Sequence, residues 1–469
     1  MPHSNGAVES ISARQVAFKI LQAVQGGAYT DVALHRGLSR TPLSEQDRGF
    51  ITELVYGTVR QQRTLDALIE QLGSRPATKQ PPKLLLILRL GLYQLRYLGG
   101  VPASAAVNTS VELAKENQLG QLSGVVNGLL RQYLRQMKAG KDPLPCDSNP
   151  VTNLGIRYSY PNWIVDLWQQ QIGLQEAEQL CQWFNQPPSI DLRINPQQAS
   201  MEAVRAAFAS AGMETQLIPG IPNGLRLAHH EGAVSQLPGY DQGWWSVQDA
   251  SAQLVGQLLN PQPGELVLDV CSAPGGKATQ LAELMGDEGT VVACDRTPSR
   301  LKKVHANAQR LHLSSLQIHT GDSRHLSQFY GQADRVLVDA PCSGLGTLHR
   351  HADARWRQNP ETIAELTQLQ QELLTEAARC LKPQGSLVYA TCTLHPAENE
   401  GVVQTFLQNH PDWSVTPPSA AWTARADIAS QGWVRVWPHR HHMDGFFMVQ
   451  LTPSPPFPFS MNRYYKSSR

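Results

Sequence analysis

The chain has 469 residues, 41% of them apolar and 17% charged, with a formal net charge of +1. That length suits about two to four domains, and the composition excludes a disordered or low-complexity chain. Seven scattered cysteines without a Cys-x-x-Cys pair argue against a disulfide framework and against a zinc site, and for reduced thiols in a cytoplasmic protein.

The opening Met1-Pro2-His3-Ser4-Asn5-Gly6 lacks a basic region followed by an apolar run, so no secretory signal is read there. Residues 1–140 predict an all-helical domain. Ala13, Ala17 and Leu21 recur every four positions, as do Val16, Ile20 and Val24. Ser44 with Asp47 reads as a capping box before a helix carrying Ile51, Leu54, Val55 and Val59. Leu65, Leu68, Ile69 and Leu72 extend an apolar stripe that Gly73 and Pro76 end. Leu84 to Leu98 is apolar nearly all round, which predicts a central buried helix. Arg89 and Arg96 interrupt it, and it is too short for a bilayer, so no membrane partner is expected. Helices around Ala105–Lys115 and Val125–Met137 complete a compact bundle. This third holds 16 Lys+Arg against 9 Asp+Glu, the remainder 24 against 30. A basic amino-terminal third points to a polyanionic partner.

Residues 139–145 read as a linker. Residues 150–240 predict a small α+β domain: a helix over Ile164–Gln182, a strand over Ile190–Ile194 and a helix over Met201–Ala211, with the topology open. From 241 to 453 strands and helices alternate, as in a parallel sheet covered on both faces. The tail 454–469, with Pro455, Pro456 and Pro458, is expected to be poorly ordered.

Leu266-Val267-Leu268-Asp269 runs into the turn Cys271-Ser272-Ala273-Pro274-Gly275-Gly276-Lys277. The turn is not a P-loop, because Ala278 follows Gly276-Lys277 and Cys271 stands where the first glycine belongs; a Gly-x-Gly-x-x-Gly pattern is also absent. What remains suits S-adenosylmethionine. Asp295, after the strand Val291–Cys294, can accept both ribose hydroxyls. Gly275 and Gly276 let backbone approach the methionine part. Asp322, after Leu316–His319, brings a third carboxylate toward the adenine amino group. A lone Asp after a strand is more often a cap; three after consecutive strands favour the cofactor.

Two thiols follow buried-strand patterns. Arg335-Val336-Leu337-Val338 leads into Asp339-Ala340-Pro341-Cys342-Ser343-Gly344, and Ser386-Leu387-Val388-Tyr389 into Ala390-Thr391-Cys392-Thr393. Both emerge at strand carboxyl ends, where open α/β sheets hold ligands. Cytosine C5 becomes nucleophilic once a thiolate has added to C6, and Asp339 is placed to bond the N3/N4 edge. Lys277 favours a nearby thiolate. Cys181, Cys271, Cys294 and Cys380 read as inert small hydrophobes.

These three motifs, in this order, resemble those of the RNA cytosine-C5 methyltransferase family of Sun/Fmu type, and the bundle resembles the NusB-like RNA-binding domain. The resemblance implies three parts: a NusB-like all-α bundle, a small α+β domain, and a Rossmann-like methyltransferase domain. It implies transfer from S-adenosylmethionine to C5 of a cytosine in 16S ribosomal RNA, naked or within a small-subunit assembly intermediate, by a monomer. It implies that Cys392 is the nucleophile and that Cys342 assists proton removal or release. Cofactor contacts then fall on Cys271 to Lys277, Asp295, Asp322 and Asp339. In enzymes acting on DNA the Pro-Cys thiol attacks instead, so the chemistry by itself leaves the two roles open. Ser272 and Ala278 depart from the family's usual Ala and Thr, and Ala352 from a frequent Pro; Arg350 and Arg355 stay available for phosphate. Trp244 and Trp245 either shape the cofactor pocket or pack a junction. His439-Arg440-His441-His442 reads as a basic loop near RNA, not a metal site. The competing readings are the same chemistry on transfer RNA, a non-catalytic assembly factor, and a small-molecule methyltransferase.

Overall fold

The computed structural model describes residues 12–228, 232–419, 421–422 and 425–454. The expected tail 454–469 lies outside the described residues from position 455 onward, as does the opening hexapeptide. The chain forms two compact units: Met1–Pro188 with Thr347–Gln358, and Ser189–Gly346 with Asn359–Arg469. The division falls at Pro188, inside the expected 150–240 domain.

The first unit is helical. Its helices run Ala13–Gln25, Thr30–Ser39, Glu45–Arg60, Gln62–Leu72, Pro82–Tyr97, Ala103–Glu116 and Ser123–Lys138, then Pro150–Tyr158 and Asn162–Trp183. Ser44 caps the third by accepting from Asp47 N, as its spacing predicts. Every residue from Leu84 to Gln94 is buried, so Pro82–Tyr97 is the central helix. Its two arginines are paired: Arg89 with Asp66 at 2.7 Å and Arg96 with Asp142 at 2.9 Å. Asn162–Trp183 breaks at Gly173, whose φ is 77°.

Thr347–Gln358 belongs to this helical unit through satisfied polar contacts. Arg355 is fully buried and donates to the carbonyls of Arg60, Ser159 and Leu348 and to Asn185 Oδ1. Its guanidinium lies 4.1 Å from the Tyr160 ring centroid. Trp356 donates to the Val59 carbonyl, and Asp353 accepts from Thr30 N. The expectation that Arg355 is free for phosphate is thereby corrected: the side chain is buried, and its two terminal nitrogens donate to backbone carbonyls and to Asn185 Oδ1.

The second unit has two sheets. The smaller holds β1 (Ile190–Ile194), β2 (Thr215–Leu217), β3 (Gly224–Leu227) and β4 (Trp245–Val247), all antiparallel in the order β2-β3-β1-β4. Helix Met201–Ser210 adds Val204 and Phe208 to its core, alongside Trp245. This is the topology that the sequence left open. The larger sheet holds β5 (Leu266–Asp269), β6 (Thr290–Asp295), β7 (Leu316–Thr320), β8 (Ala333–Asp339), β9 (Leu381–Thr391), β10 (Trp413–Val415), β11 (Asp427–Ile428), β12 (Val434–Val436) and β13 (Phe446–Pro453). Its order is β11-β12-β13-β9-β8-β5-β6-β7, with β10 on β13. The run from β7 to β9 is parallel and β13 joins β9 antiparallel. From β5 the chain steps to β6 and β7 on one side, then returns to β8 and β9 on the other. The switch point, where a doubly wound sheet opens a crevice, therefore lies between the carboxyl ends of β5 and β8.

A buried bridge ties the small sheet to the larger one. Arg193 on β1 pairs with Glu283 at 2.7 Å, both side chains under 5% exposed, and donates to Thr279 Oγ1 and the Gly276 carbonyl. That sets the first turn of helix Gly276–Leu284, which begins the site.

Candidate active site

At the end of β5 the backbone must reverse into helix Gly276–Leu284. Gly275 does this at φ 103°, and a Cβ there would lie 3.0 Å from Val304 Cα, so only glycine fits. At Gly276 a Cβ would meet open space. The need for glycine thus sits at Gly275, and it comes from backbone angle and packing on Val304.

A cavity of about 380 Å³ opens at the switch point, within the usual range for small-molecule sites. Its lining includes Cys271, Ala273, Lys277, Asp295, Asp322, Asp339, Cys342 and Cys392. Ser272, Pro274, Gly275 and Gly276 do not line it; they shape the turn, with Ser272 N donating to the Cys294 carbonyl and Gly275 N to that of Ser272. Cys271 lines the wall, and burial holds its thiol well above the ordinary range.

The carboxylates are fixed by neighbours. Asp295 accepts from Thr297 N at 2.8 Å and pairs with Arg300 at 2.9 Å, and Arg300 also donates to the Ala273 carbonyl. One arginine thereby locks the turn to the end of β6. Asp322 accepts from Arg324 N and pairs with its side chain at 2.6 Å, which lowers its carboxyl to about 2. Both aspartates therefore serve their own turns as well as facing the cavity. Asp339 pairs with Lys277 at 2.8 Å. Lys277 Nζ lies 5.0 Å from the Phe446 ring centroid. Burial alone lowers its pKa, but Asp339 and the nearby Cys392 outweigh that and raise it.

Beneath this wall Asp269 is completely buried, and neither carboxylate oxygen has a hydrogen-bond partner among the described residues. Burial, reinforced by Asp339, raises its carboxyl to about 7. Lys277, Ser272 and the Cys271 amide offset that rise only in part, so this buried acid is costly and sits where a cofactor can act on it.

The two thiols meet. Cys342 Sγ lies 3.3 Å from Cys392 Sγ. The hydrogen bond to Cys392, together with burial, raises the Cys342 thiol well above its ordinary range. The ends of β8 and β9 bring them together because Asp339 and Ala390 are in register.

Acidic side chains for hydroxyls and amino groups, a cation beside one of them and an apolar wall at Leu369 and Leu373 suit S-adenosylmethionine, which is zwitterionic, hydroxylated and aromatic. Asp295, Asp322, Asp339 and, from the turn, Cys271, Ala273 and Lys277 would hold it. The fold and this site define an S-adenosylmethionine-dependent methyltransferase.

Comparison with known proteins narrows the class. Residues 256–452 match the family model for the 16S rRNA methyltransferase RsmB/F, residues 11–135 the NusB family and residues 160–234 the ferredoxin-like domain of RsmF/B-like methyltransferases. A probable ribosomal RNA small subunit methyltransferase B of Synechocystis is 53% identical, covering 94% of this chain and 99% of its own length. The ribosomal RNA small subunit methyltransferase B of Klebsiella pneumoniae is 37% identical, covering 87% and 91%. Among solved structures, a methyltransferase homologue from Pyrococcus horikoshii is 27% identical with a TM-score of 0.58, covering 66% of this chain and all of its own. The chain belongs to the ribosomal RNA small subunit methyltransferase B family.

Other sequence expectations resolve differently. Trp245 packs the small sheet's core and donates to the Pro238 carbonyl, away from the cavity lining. Of the histidine-rich stretch, Pro438–His441 forms a short helix, with Arg440 and His441 paired to Asp427. No metal-binding cluster occurs among the described residues. Sequence reasoning missed Arg300, Gln370 and Glu398, and it counted Asp269 among the strand-end acids without naming it as a site residue. An acidic residue closing an apolar strand was the available signal for Asp269; Glu398, in Pro396-Ala397-Glu398-Asn399, carried none.

Proposed function

We propose that this protein methylates C5 of a cytosine in 16S ribosomal RNA, cytosine 967 in the reading the resemblance supports, through a covalent adduct between Cys392 and C6. The observation that carries the proposal is the 3.3 Å thiol pair beside the Lys277–Asp339 ion pair. The relatives' names supply the ribosomal RNA class.

The cofactor supplies an electrophilic methyl group on a sulfonium. The chain's residues make C5 able to take it. The Cys392 thiolate, near the Lys277 ammonium, adds to C6 and drives electron density toward C5 and N3. Asp339, held by Lys277, faces the N3/N4 edge. Once C5 is methylated, Cys342 gives its S–H proton to the departing Cys392 sulfur and takes up the C5 proton, so C5=C6 re-forms and the C6–S bond breaks. The base must be flipped or single-stranded, because attack comes from above the ring. On the first unit, Lys19, Arg36 and Arg40 are exposed along a groove with Tyr29 and Val32, a surface suited to RNA phosphate and stacking.

The test is methyl incorporation into unmodified 16S RNA, with the site mapped by bisulfite sequencing. Methylation at C5 of cytosine 967 is expected; a methyl on an exocyclic nitrogen or on another base overturns the reading.

A further inference from the structure

We propose that Glu398 is a positioning residue that fixes the separation of the Cys342 and Cys392 thiols, and through it the passage from methyl transfer to release. The second half rests on the covalent reading above; the first half does not.

Cys342 and Cys392 lie on different loops, fifty positions apart, leaving neighbouring parallel strands. Such loops diverge unless something spans them. Glu398 is fully buried and spans both. Its Oε1 accepts from Ser343 N at 2.8 Å, directly after Cys342. Its Oε2 accepts from Ser343 Oγ and, at 3.2 Å, from Thr393 Oγ1, directly after Cys392. The two hydroxyl oxygens lie 2.7 Å apart. Gln370 donates to Glu398 Oε1 at 3.0 Å and to the Pro341 carbonyl, directly before Cys342, at 2.9 Å. Asn399 completes the grip on the other loop: it accepts from Thr391 Oγ1 at 2.6 Å and donates to the Thr393 carbonyl at 3.0 Å. Each thiol is therefore flanked on both sides by groups held from one short segment and one glutamine. An apolar plug would fill this space with less desolvation cost. A buried carboxylate with four donors instead fixes bond directions, and hence where each sulfur points.

The test uses full-length wild type, Glu398→Ala and Glu398→Gln. In the first arm diamide oxidises the pair: the thiols lose two hydrogens, diamide gains them, and peptide mass spectrometry follows the Cys342–Cys392 disulfide. Glu398→Ala is expected to slow its formation about tenfold or more, and Glu398→Gln about threefold. Gln keeps an acceptor for Ser343 N–H and can donate to the hydroxyls. Loss of the negative charge alone would ease thiolate formation at Cys342 and speed oxidation, so slowing reports geometry. In the second arm, with S-adenosylmethionine and unmodified 16S RNA, Glu398→Ala accumulates denaturation-resistant adduct as Cys342→Ala does. If Glu398→Ala fails to fold, Glu398→Gln carries the first arm alone. Wild-type oxidation rates in a folded variant overturn the proposal. Absence of adduct in Cys342→Ala refutes the covalent reading and leaves the oxidation result to judge Glu398.

Discussion

Replacing Asp269 by Asn removes a buried charge without changing shape, and the consequence depends on pH. The folded carboxyl titrates at about 7 against an ordinary 3.8. Between those values the unfolded chain has already lost its proton while the folded chain keeps it. The unfolded state then binds fewer protons, so stability falls as pH rises through this window. The shift is about 3 units, or about 4 kcal/mol of destabilisation fully present above pH 7. At pH 5 only about 1.6 kcal/mol of it has developed, so wild type loses about 2.5 kcal/mol more than Asp269→Asn between pH 5 and pH 8. The Asn amide brings its own unmet hydrogen bonds, worth about 1–3 kcal/mol, which displace the variant's curve without tilting it. Urea unfolding at both pH values, read by a probe in the methyltransferase unit, measures the difference. Parallel stability curves would refute the assignment of a raised carboxyl. The same substitution is expected to weaken binding of S-adenosylhomocysteine, since the acid lies beneath the cofactor wall.

Three further outcomes follow from the geometry. Arg193→Met strands Glu283 without its partner in a buried setting and is expected to cost about 3–5 kcal/mol, seen as a lower unfolding midpoint; an unchanged midpoint contradicts the bridge's role. Gly275→Ala forces a side chain into a positive-φ turn against Val304 and is expected to lower stability by about 1–3 kcal/mol and weaken cofactor binding, checked by thermal melts with and without S-adenosylhomocysteine. Near neutral pH, iodoacetamide should alkylate Cys392 faster than Cys342, because the contact with Cys392 and burial hold the Cys342 thiol up; peptide mapping that finds Cys342 first would contradict a raised Cys342 thiol.

The parts legible in the sequence are those where local pattern and chemistry coincide. Leu84 to Leu98 announced a buried helix because its apolar residues leave no polar face, and Arg89 is tolerated there because Asp66 meets it. The ends of β5, β8 and β9 were legible because apolar runs stop at chemically distinctive residues, which brought Asp339, Cys342 and Cys392 together before any coordinates. Other features depend on contacts distant in sequence. Glu398 acts on Ser343, 55 residues away, and Gln370, 28 away, and no periodicity encodes that. Arg355 was misread because a charged residue in a loop ordinarily faces water, whereas here buried carbonyls replace the solvent. Helix Asn162–Trp183 groups with the first unit because Glu178 accepts from Tyr158 Oη and the adjoining Ser159 and Tyr160 accept from Arg63 of the bundle, a choice of partner that amphipathic pattern leaves open.

The central claim is covalent attack by Cys392, and one comparison tests it most directly. Wild type, Cys342→Ala and Cys392→Ala are incubated with S-adenosylmethionine and unmodified 16S RNA, denatured, and resolved for protein–RNA adduct. The account predicts strong adduct with Cys342→Ala, little with wild type and none with Cys392→Ala. Adduct accumulating in Cys392→Ala and absent from Cys342→Ala would contradict it and make the Pro-Cys thiol the nucleophile.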